Sequence, residues 1–177
     1  CIPKSPTKKP YQTLVEAIIY QQLSEASATA ITKRFLKLYK KFPTPKQVFN
    51  TSDKKLKDTG ISGTKINYIK GLSKQIIQKE IDFRKISKLK DEQVIEELTK
   101  IKGIGNWTAQ IYLMFCLERK DVFPVGDLGI QKGIRDLFSL KELPNAKTME
   151  KYSARWKPNR SIACWYIWKS QRINSIG

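Results

Sequence analysis

The sequence predicts an all-α protein made of two helical lobes. Three observations lead there. Apolar residues recur three and four positions apart in segment after segment, the spacing that lines one face of a helix. No stretch shows the strict alternation that marks a half-buried strand. Ser and Thr stand immediately ahead of several apolar stripes, where helix N-caps belong. At 177 residues the chain has the length of one domain, or of two small lobes sharing a crevice.

The elements follow in order. Tyr11 to Gln22 carries Leu14, Val15, Ile18 and Ile19 at helical spacing. Ser24 caps a second helix through Ile31, Phe35, Leu38 and Tyr39, whose other face holds Lys33, Arg34, Lys37, Lys40 and Lys41. Thr44-Pro45-Lys46-Gln47 reads as a capping box with proline in the first turn. Ser52 starts another short helix, which Gly60 ends, and Ile66, Ile69, Leu72 and Ile76 mark a longer one. Helices over Asp91 to Ile101, Asn106 to Glu118, Leu128 to Phe138 and Asn159 to Gln171 complete the set. The Lys-rich stretch from Lys79 to Lys90 reads as the connector between the lobes. There is no internal repeat and no low-complexity tract.

Charge narrows the partners. The net charge is +18, with a pI near 9.9, which favours a polyanion and nucleic acid above a membrane surface. No apolar run approaches the roughly 20 residues that span a bilayer, which predicts a soluble protein. Cys1, Cys116 and Cys164 are odd in number and far apart, so neither a disulfide framework nor a zinc site is indicated. Histidine is absent. Acid–base work therefore falls to Asp, Glu, Lys, Tyr or water. The chain begins at Cys1 rather than Met, which predicts that residues precede it.

The most informative stretch runs from Leu98 to Gly129. Lys102-Gly-Ile-Gly105 joins two helices with only a few residues, and Leu98, Ile101 and Ile104 supply apolar contacts for a helical hairpin. Glycines let backbone N–H groups face outward at the start of the second helix, where they hold a phosphate without reading sequence. Phe123-Pro-Val-Gly-Asp-Leu-Gly129 then delivers a lone carboxylate, Asp127, on a constrained loop. Asp127 also suits the N-cap of the helix that starts at Leu128. A phosphate clamp with a lone acid points to chemistry on a nucleic acid.

These residues resemble a known family. Leu98 to Ala109 followed by Pro124-Val-Gly-Asp127 is similar to the helix-hairpin-helix and Gly/Pro-rich–Asp signature of the HhH-GPD superfamily of base-excision DNA glycosylases. Gly103-Ile-Gly-Asn-Trp-Thr-Ala109 resembles its alkyladenine (3-methyladenine) branch, the bacterial inducible enzyme and its yeast counterparts. Ala17 to Ser24, Leu56 to Lys65, and Trp156 to Ala163 with Trp165, Tyr166 and Trp168 fit the same branch. The resemblance covers roughly residues 11 to 171. It implies the two-lobed helical glycosylase fold, with the hairpin at about 98–109 and the active site in the crevice. It also implies the compact form or a truncation, because the β-rich lobe of some members has no counterpart here; the four-Cys iron–sulfur loop of other branches is missing too.

The resemblance assigns roles residue by residue. Asp127 matches the essential aspartate, which stabilises positive charge on the deoxyribose and orients or deprotonates the attacking water. Trp107 stands where members that also cut the backbone carry a Schiff-base lysine, so hydrolysis without strand cleavage is implied. Trp107 and Trp168 match aromatic positions of the base pocket, where electron-rich faces favour a cationic base. Ile111 replaces a pocket tyrosine of the bacterial enzyme. Tyr112 points about 100° away, which leaves Tyr20 as a further aromatic. Trp165 is expected in the core.

Gln21, Gln22 and Leu23 match the region that fills the gap left by the flipped nucleotide, with Gln22 at the wedge position. Lys102, Gly103, Gly105, Thr108 and Lys65 are expected at the DNA backbone, and Arg160 is expected to contact the DNA as well. Arg160, with Ser161, matches the family too, either near Asp127 or only at the helix terminus. The resemblance implies a monovalent cation on the hairpin backbone at Lys102, Gly103 and Gly105; no side-chain metal site and no other cofactor is expected.

The implied activity is hydrolysis of alkylated purines, of the 3-methyladenine and 7-methylguanine type, from double-stranded DNA by a monomer. That places the protein inside the cell, in the cytoplasm or nucleoid of a prokaryote or the nucleus of a eukaryote. Two rivals stay open: a glycosylase for deaminated bases such as uracil or hypoxanthine, and a non-catalytic module that binds damaged DNA.

Overall fold

Caps and apolar stripes set the helices of the computed structural model, which describes residues 9–173. Cys1 lies outside them. The helices are α1 (Pro10–Tyr20), α2 (Glu25–Lys37), α3 (Pro45–Asn50), α4 (Asp53–Asp58), α5 (Gly63–Ile77), α6 (Phe83–Ile86), α7 (Asp91–Thr99), α8 (Asn106–Phe115), α9 (Leu128–Leu137), α10 (Ala146–Ser153) and α11 (Arg160–Ile173). No strand occurs among the described residues, so the all-α expectation stands. The Ser24, Thr44 and Ser52 side chains accept from backbone N–H groups three residues on, and Gln47 completes its capping box. Each such cap contributes about 1 kcal/mol.

Several boundaries move. α1 stops at Tyr20 rather than Gln22, and α8 stops at Phe115 rather than Glu118. α7 ends at Thr99, and α11 runs to Ile173. Two helices were not anticipated: α6, capped by Asp82, and α10, capped by Asn145. Both are short, so periodicity alone does not reveal them.

The chain divides into two compact units, with the division inside α8 between Tyr112 and Leu113. The Lys79–Lys90 stretch therefore belongs to the interior of the first unit rather than to a boundary. The reason is α6: Ile86 is buried, and the Phe83 ring lies 6.1 Å from that of Tyr112. Lysine-rich composition conceals these two apolar anchors.

In the first unit, α1 packs on α2 and α5, and α5 also packs on α3 and α4. Leu14, Val15, Ile18, Phe35, Leu56, Ile69, Leu72, Val94 and Leu98 are fully enclosed, each side chain contributing about 1.5–3 kcal/mol. One polar pair sits among them, Tyr11 Oη with Ser73 Oγ at 2.7 Å. Burial pushes the Tyr11 phenol well above its usual range, so it stays neutral. In the second unit α9 packs on α10 and α11 around Val122, Phe123, Ile130, Ile134, Met149, Cys164 and Ile167. Gly133 sets the α9–α11 distance, because a Cβ there would lie 2.1 Å from Ile167 Cγ2. Among the described residues no helix is long and apolar enough to cross a membrane.

Candidate active site

The hairpin of the first unit consists of the end of α7, a tight turn and the start of α8. Leu98, Ile101 and Ile104 are buried beneath it, and Ile104 N–H donates to the Ile101 carbonyl at 3.0 Å. Gly103 has φ +92°, and a Cβ on it would lie 2.2 Å from Cγ of Tyr68. Glycine is required there by conformation and by contact alike. Gly105 and Lys102 are exposed, and the first-turn amides of α8 carry the positive end of the helix dipole. Thr108 departs from expectation: its side chain is 1% exposed, and its hydroxyl accepts a hydrogen bond from inside the protein. Its task is to anchor the hairpin.

That hydrogen bond comes from Gln21. The Gln21 amide Nε2 donates to the Gly103 carbonyl at 2.8 Å and to Thr108 Oγ1 at 2.9 Å. The Gly103 contact fixes the amide's orientation, since only its NH2 end donates. Gln21 is thus turned inward, whereas Gln22 and Leu23 are exposed. Gln22 has φ +55°, and Leu23 N–H closes the turn on the Tyr20 carbonyl at 3.2 Å. This turn normally favours glycine at the position Gln22 holds. Lys65, expected at the DNA backbone, reaches the same turn from α5. Its Nζ donates to the carbonyls of Ile19 at 2.8 Å and Gln21 at 2.7 Å. Burial pulls this ammonium below its ordinary pKa. Tyr20 is half-buried, and its hydroxyl pairs with Thr29 Oγ1 at 3.0 Å.

No group of three or more His, Cys, Asp or Glu side chains could hold a metal ion among the described residues. A hairpin cation would need backbone oxygens. Among the backbone oxygens expected there, the Gly103 carbonyl accepts the Gln21 amide and keeps a second lone pair.

The second unit carries the carboxylate. Asp127 is 7% exposed, and its Oδ1 accepts from Ile130 N–H at 2.8 Å and from Trp168 Nε1 at 2.9 Å. The first bond is the N-cap of α9; the second orients the carboxylate from α11. Gly129 permits the indole's approach, since a Cβ there would lie 3.1 Å from Trp168 Cδ1. Phe115 stacks on Trp168 with ring centroids 6.0 Å apart. Cys164 is buried, and its thiol is pushed well up by burial first and by the charge of Asp127 second, so it stays an inert thiol.

Upstream of Asp127 the loop is clamped at its root. Ser161 Oγ donates to the Arg119 carbonyl at 2.7 Å and accepts from Val122 N–H at 3.0 Å. Arg160 takes a different place from the DNA contact expected of it. Its guanidinium grips Asp121, with Nε to Oδ1 at 2.7 Å and Nη2 to Oδ2 at 2.9 Å. Those hydrogen bonds hold the Asp121 carboxyl below its ordinary range. Asp121 Oδ1 also accepts from Arg160 N–H at 3.3 Å, at the start of α11.

The aromatic expectations divide. Trp107 and Ile111 are half-buried, four residues apart on one face of α8. Tyr112 is fully buried. Trp165 is not core: it is half-buried, edge-on to Tyr166 at 5.0 Å and covered by the Lys169 ammonium at 5.1 Å. Sequence reading missed Tyr68, Phe115 and Asp121. The Gly129–Gly133 spacing on α9 was a visible sign of a close helix approach; the other three left none.

Known proteins resemble this arrangement. A family model described as "HhH-GPD superfamily base excision DNA repair protein" matches residues 15–159. DNA-3-methyladenine glycosylase 1 of Schizosaccharomyces pombe is 36% identical over 169 residues, covering 94% of this chain and 74% of that protein. The alkylbase DNA glycosidase-like protein mag2 of the same yeast is 32% identical, with 97% of this chain and 83% of that protein covered. The structure of the S. pombe 3-methyladenine DNA glycosylase in complex with abasic DNA gives a TM-score of 0.87 at 36% identity, covering 93% and 82%. A DNA-3-methyladenine glycosidase from Bacillus halodurans gives 0.73 at 39% identity, covering 94% and 77%.

Proposed function

This chain belongs to the HhH-GPD superfamily of base excision DNA repair proteins, and from that membership we propose that it hydrolyses the N-glycosidic bond of alkylated purines in double-stranded DNA, leaving an abasic site. The observation that carries the reading is Asp127, a nearly buried carboxylate held by two N–H donors on one oxygen. Two donors fix its direction. A fixed anion stabilises the positive charge that develops on the deoxyribose as the bond breaks. It also orients or deprotonates the water that attacks.

The alkylated purine is itself cationic and leaves as a neutral base, so no strong general acid is required. That agrees with a chain lacking histidine. Trp107, standing where strand-cleaving relatives would need a lysine, supports hydrolysis alone. The half-buried faces of Trp107 and Trp168 suit a cationic base. The hairpin amides and Lys102 serve the phosphate backbone, and the exposed Gln22 and Leu23 serve the gap left by the extruded nucleotide. The protein acts as a monomer and works where the DNA is, in the nucleoid or the nucleus.

Chromatography of bases freed from methylated duplex DNA tests the proposal. Release of 3-methyladenine and 7-methylguanine is the expected result. Release of uracil or hypoxanthine from deaminated duplexes, with no methylpurine, would move the substrate class. Tight binding of abasic duplex without release of any base would make the protein a damage-binding module.

A further inference from the structure

Gln21 and Gln22 are adjacent in sequence but face opposite ways. Gln21 is tied inward to the Gly103 carbonyl and the Thr108 hydroxyl, both in the hairpin. Gln22 is exposed in a left-handed backbone conformation that a non-glycine residue adopts only when its surroundings impose it. The surroundings here are identifiable. Lys65 Nζ holds the carbonyls of Ile19 and Gln21, at the negative end of α1. The Gln21 side chain holds the other side of the turn to the hairpin. The hairpin itself is set by Tyr68 against Gly103.

We infer that Gln21 is a positioning residue that couples the Gln22 turn to the hairpin, so that gripping the DNA backbone and inserting Gln22 become one event. The inference rests on the proposed action on DNA. Its physical content is that the hairpin's phosphate-facing backbone and the Gln22 turn share one hydrogen-bonded unit. A hairpin seated on a phosphate fixes the height of Gln22. Without the Gln21 bonds the turn relaxes from its left-handed conformation and Gln22 no longer enters the stack. Gln21 makes no contact with the base in this scheme and acts through Gln22.

The test is a double-mutant cycle on Gln21→Met, which keeps the volume and removes the donor, and Gln22→Ala. Loss of two such hydrogen bonds should slow single-turnover base release about 10- to 100-fold. Affinity for undamaged duplex should stay within about threefold, because positioning rather than phosphate contact is lost. The double variant should be no slower than Gln22→Ala to within about threefold, the mark of residues acting as a unit. Multiplying effects, or a Gln21→Met variant at the wild-type rate, would overturn the coupling. Lost affinity for undamaged duplex at an unchanged saturated rate would also overturn it, by assigning Gln21 to the clamp alone.

Should Gln21→Met fail to fold, Lys65→Met reads the same turn from its other side. It should reproduce the slow release, while Lys65→Arg restores it. A 2-aminopurine opposite an abasic-site analogue reports insertion with no base release. Its fluorescence should change on wild-type binding, and both single variants should reduce that change. The signal separates the coupling from the proposed activity: a wild type that frees no base yet gives it fails only the activity, and unreduced signals in the variants overturn the coupling.

Discussion

Asp127→Asn separates the carboxylate's two tasks. Asparagine keeps an oxygen where Oδ1 stands, so Ile130 N–H and Trp168 Nε1 retain their acceptor. Asn and Asp are equally good N-caps, and only the favourable charge at the start of α9 is lost, worth about 0.3–1 kcal/mol. The fold should therefore survive with a small fall in Tm. Chemistry should not. A unit anion about 4 Å from a developing unit positive charge, at an effective dielectric of 20, supplies about 4 kcal/mol. Its removal slows base release about a thousandfold. Asp127→Ala is the contrast. It loses the cap, about 1 kcal/mol, and strands the Trp168 donor, about 1–3 kcal/mol, so it should be clearly less stable than Asp127→Asn. Thermal unfolding and chromatographed free bases, run on all three proteins, read both tasks. Base release by Asp127→Asn within about tenfold of wild type would refute the electrostatic role. Equal instability of the two variants would refute the capping geometry.

Gly103→Ala should cost about 2–5 kcal/mol, combining a forbidden left-handed Cβ with the clash on Tyr68; the midpoint of urea unfolding measures it, and an unchanged midpoint would disprove the packing argument. Gln22→Gly should relieve the left-handed turn and leave stability unchanged or raised by up to about 1 kcal/mol, while base release falls; a destabilised variant would contradict the strain. Asp121 gives a pH signature. Its pKa is lowered by the Arg160 hydrogen bonds, so its contribution is complete above the ordinary carboxylate value near 4 and is lost as pH falls through the lowered one. Wild type should accordingly exceed Asp121→Asn in Tm at pH 7, and the gap should narrow as pH falls below about 4. DNA affinity should fall with salt, with a log–log slope about 1 unit shallower in Lys102→Ala; an unchanged slope would remove Lys102 from the phosphate contacts.

Much of this protein is local and therefore legible in its sequence. Helix N-caps act over three residues and apolar faces over three or four, so the caps at Ser24, Thr44 and Ser52 and the stripes of α1, α5 and α7 stand where the residues place them. The hairpin is written in Leu98, Ile101, Ile104 and two glycines, and Asp127 announces itself as a lone acid after a proline–glycine loop. The family signature lies in those same contiguous segments. The ends of α1 and α8 were harder, because the turns that stop them involve residues with no breaker chemistry, such as Gln22 and Glu118 at positive φ.

What tertiary structure alone decided is the use of each polar group. Gln21 meets Gly103 and Thr108 across separations of 82 and 87 residues, and Arg160 meets Asp121 across 39. Trp168 finds Asp127 from 41 residues away, through an approach that Gly129 and Gly133 permit. A sequence shows that a glutamine, a lysine or an arginine has donors to give. Which acceptor receives them depends on packing between helices distant in the chain. Hence residue types and local geometry follow from the sequence, while the inward turn of Gln21 and Thr108, the Lys65 brace and the Arg160 grip on Asp121 follow from the fold.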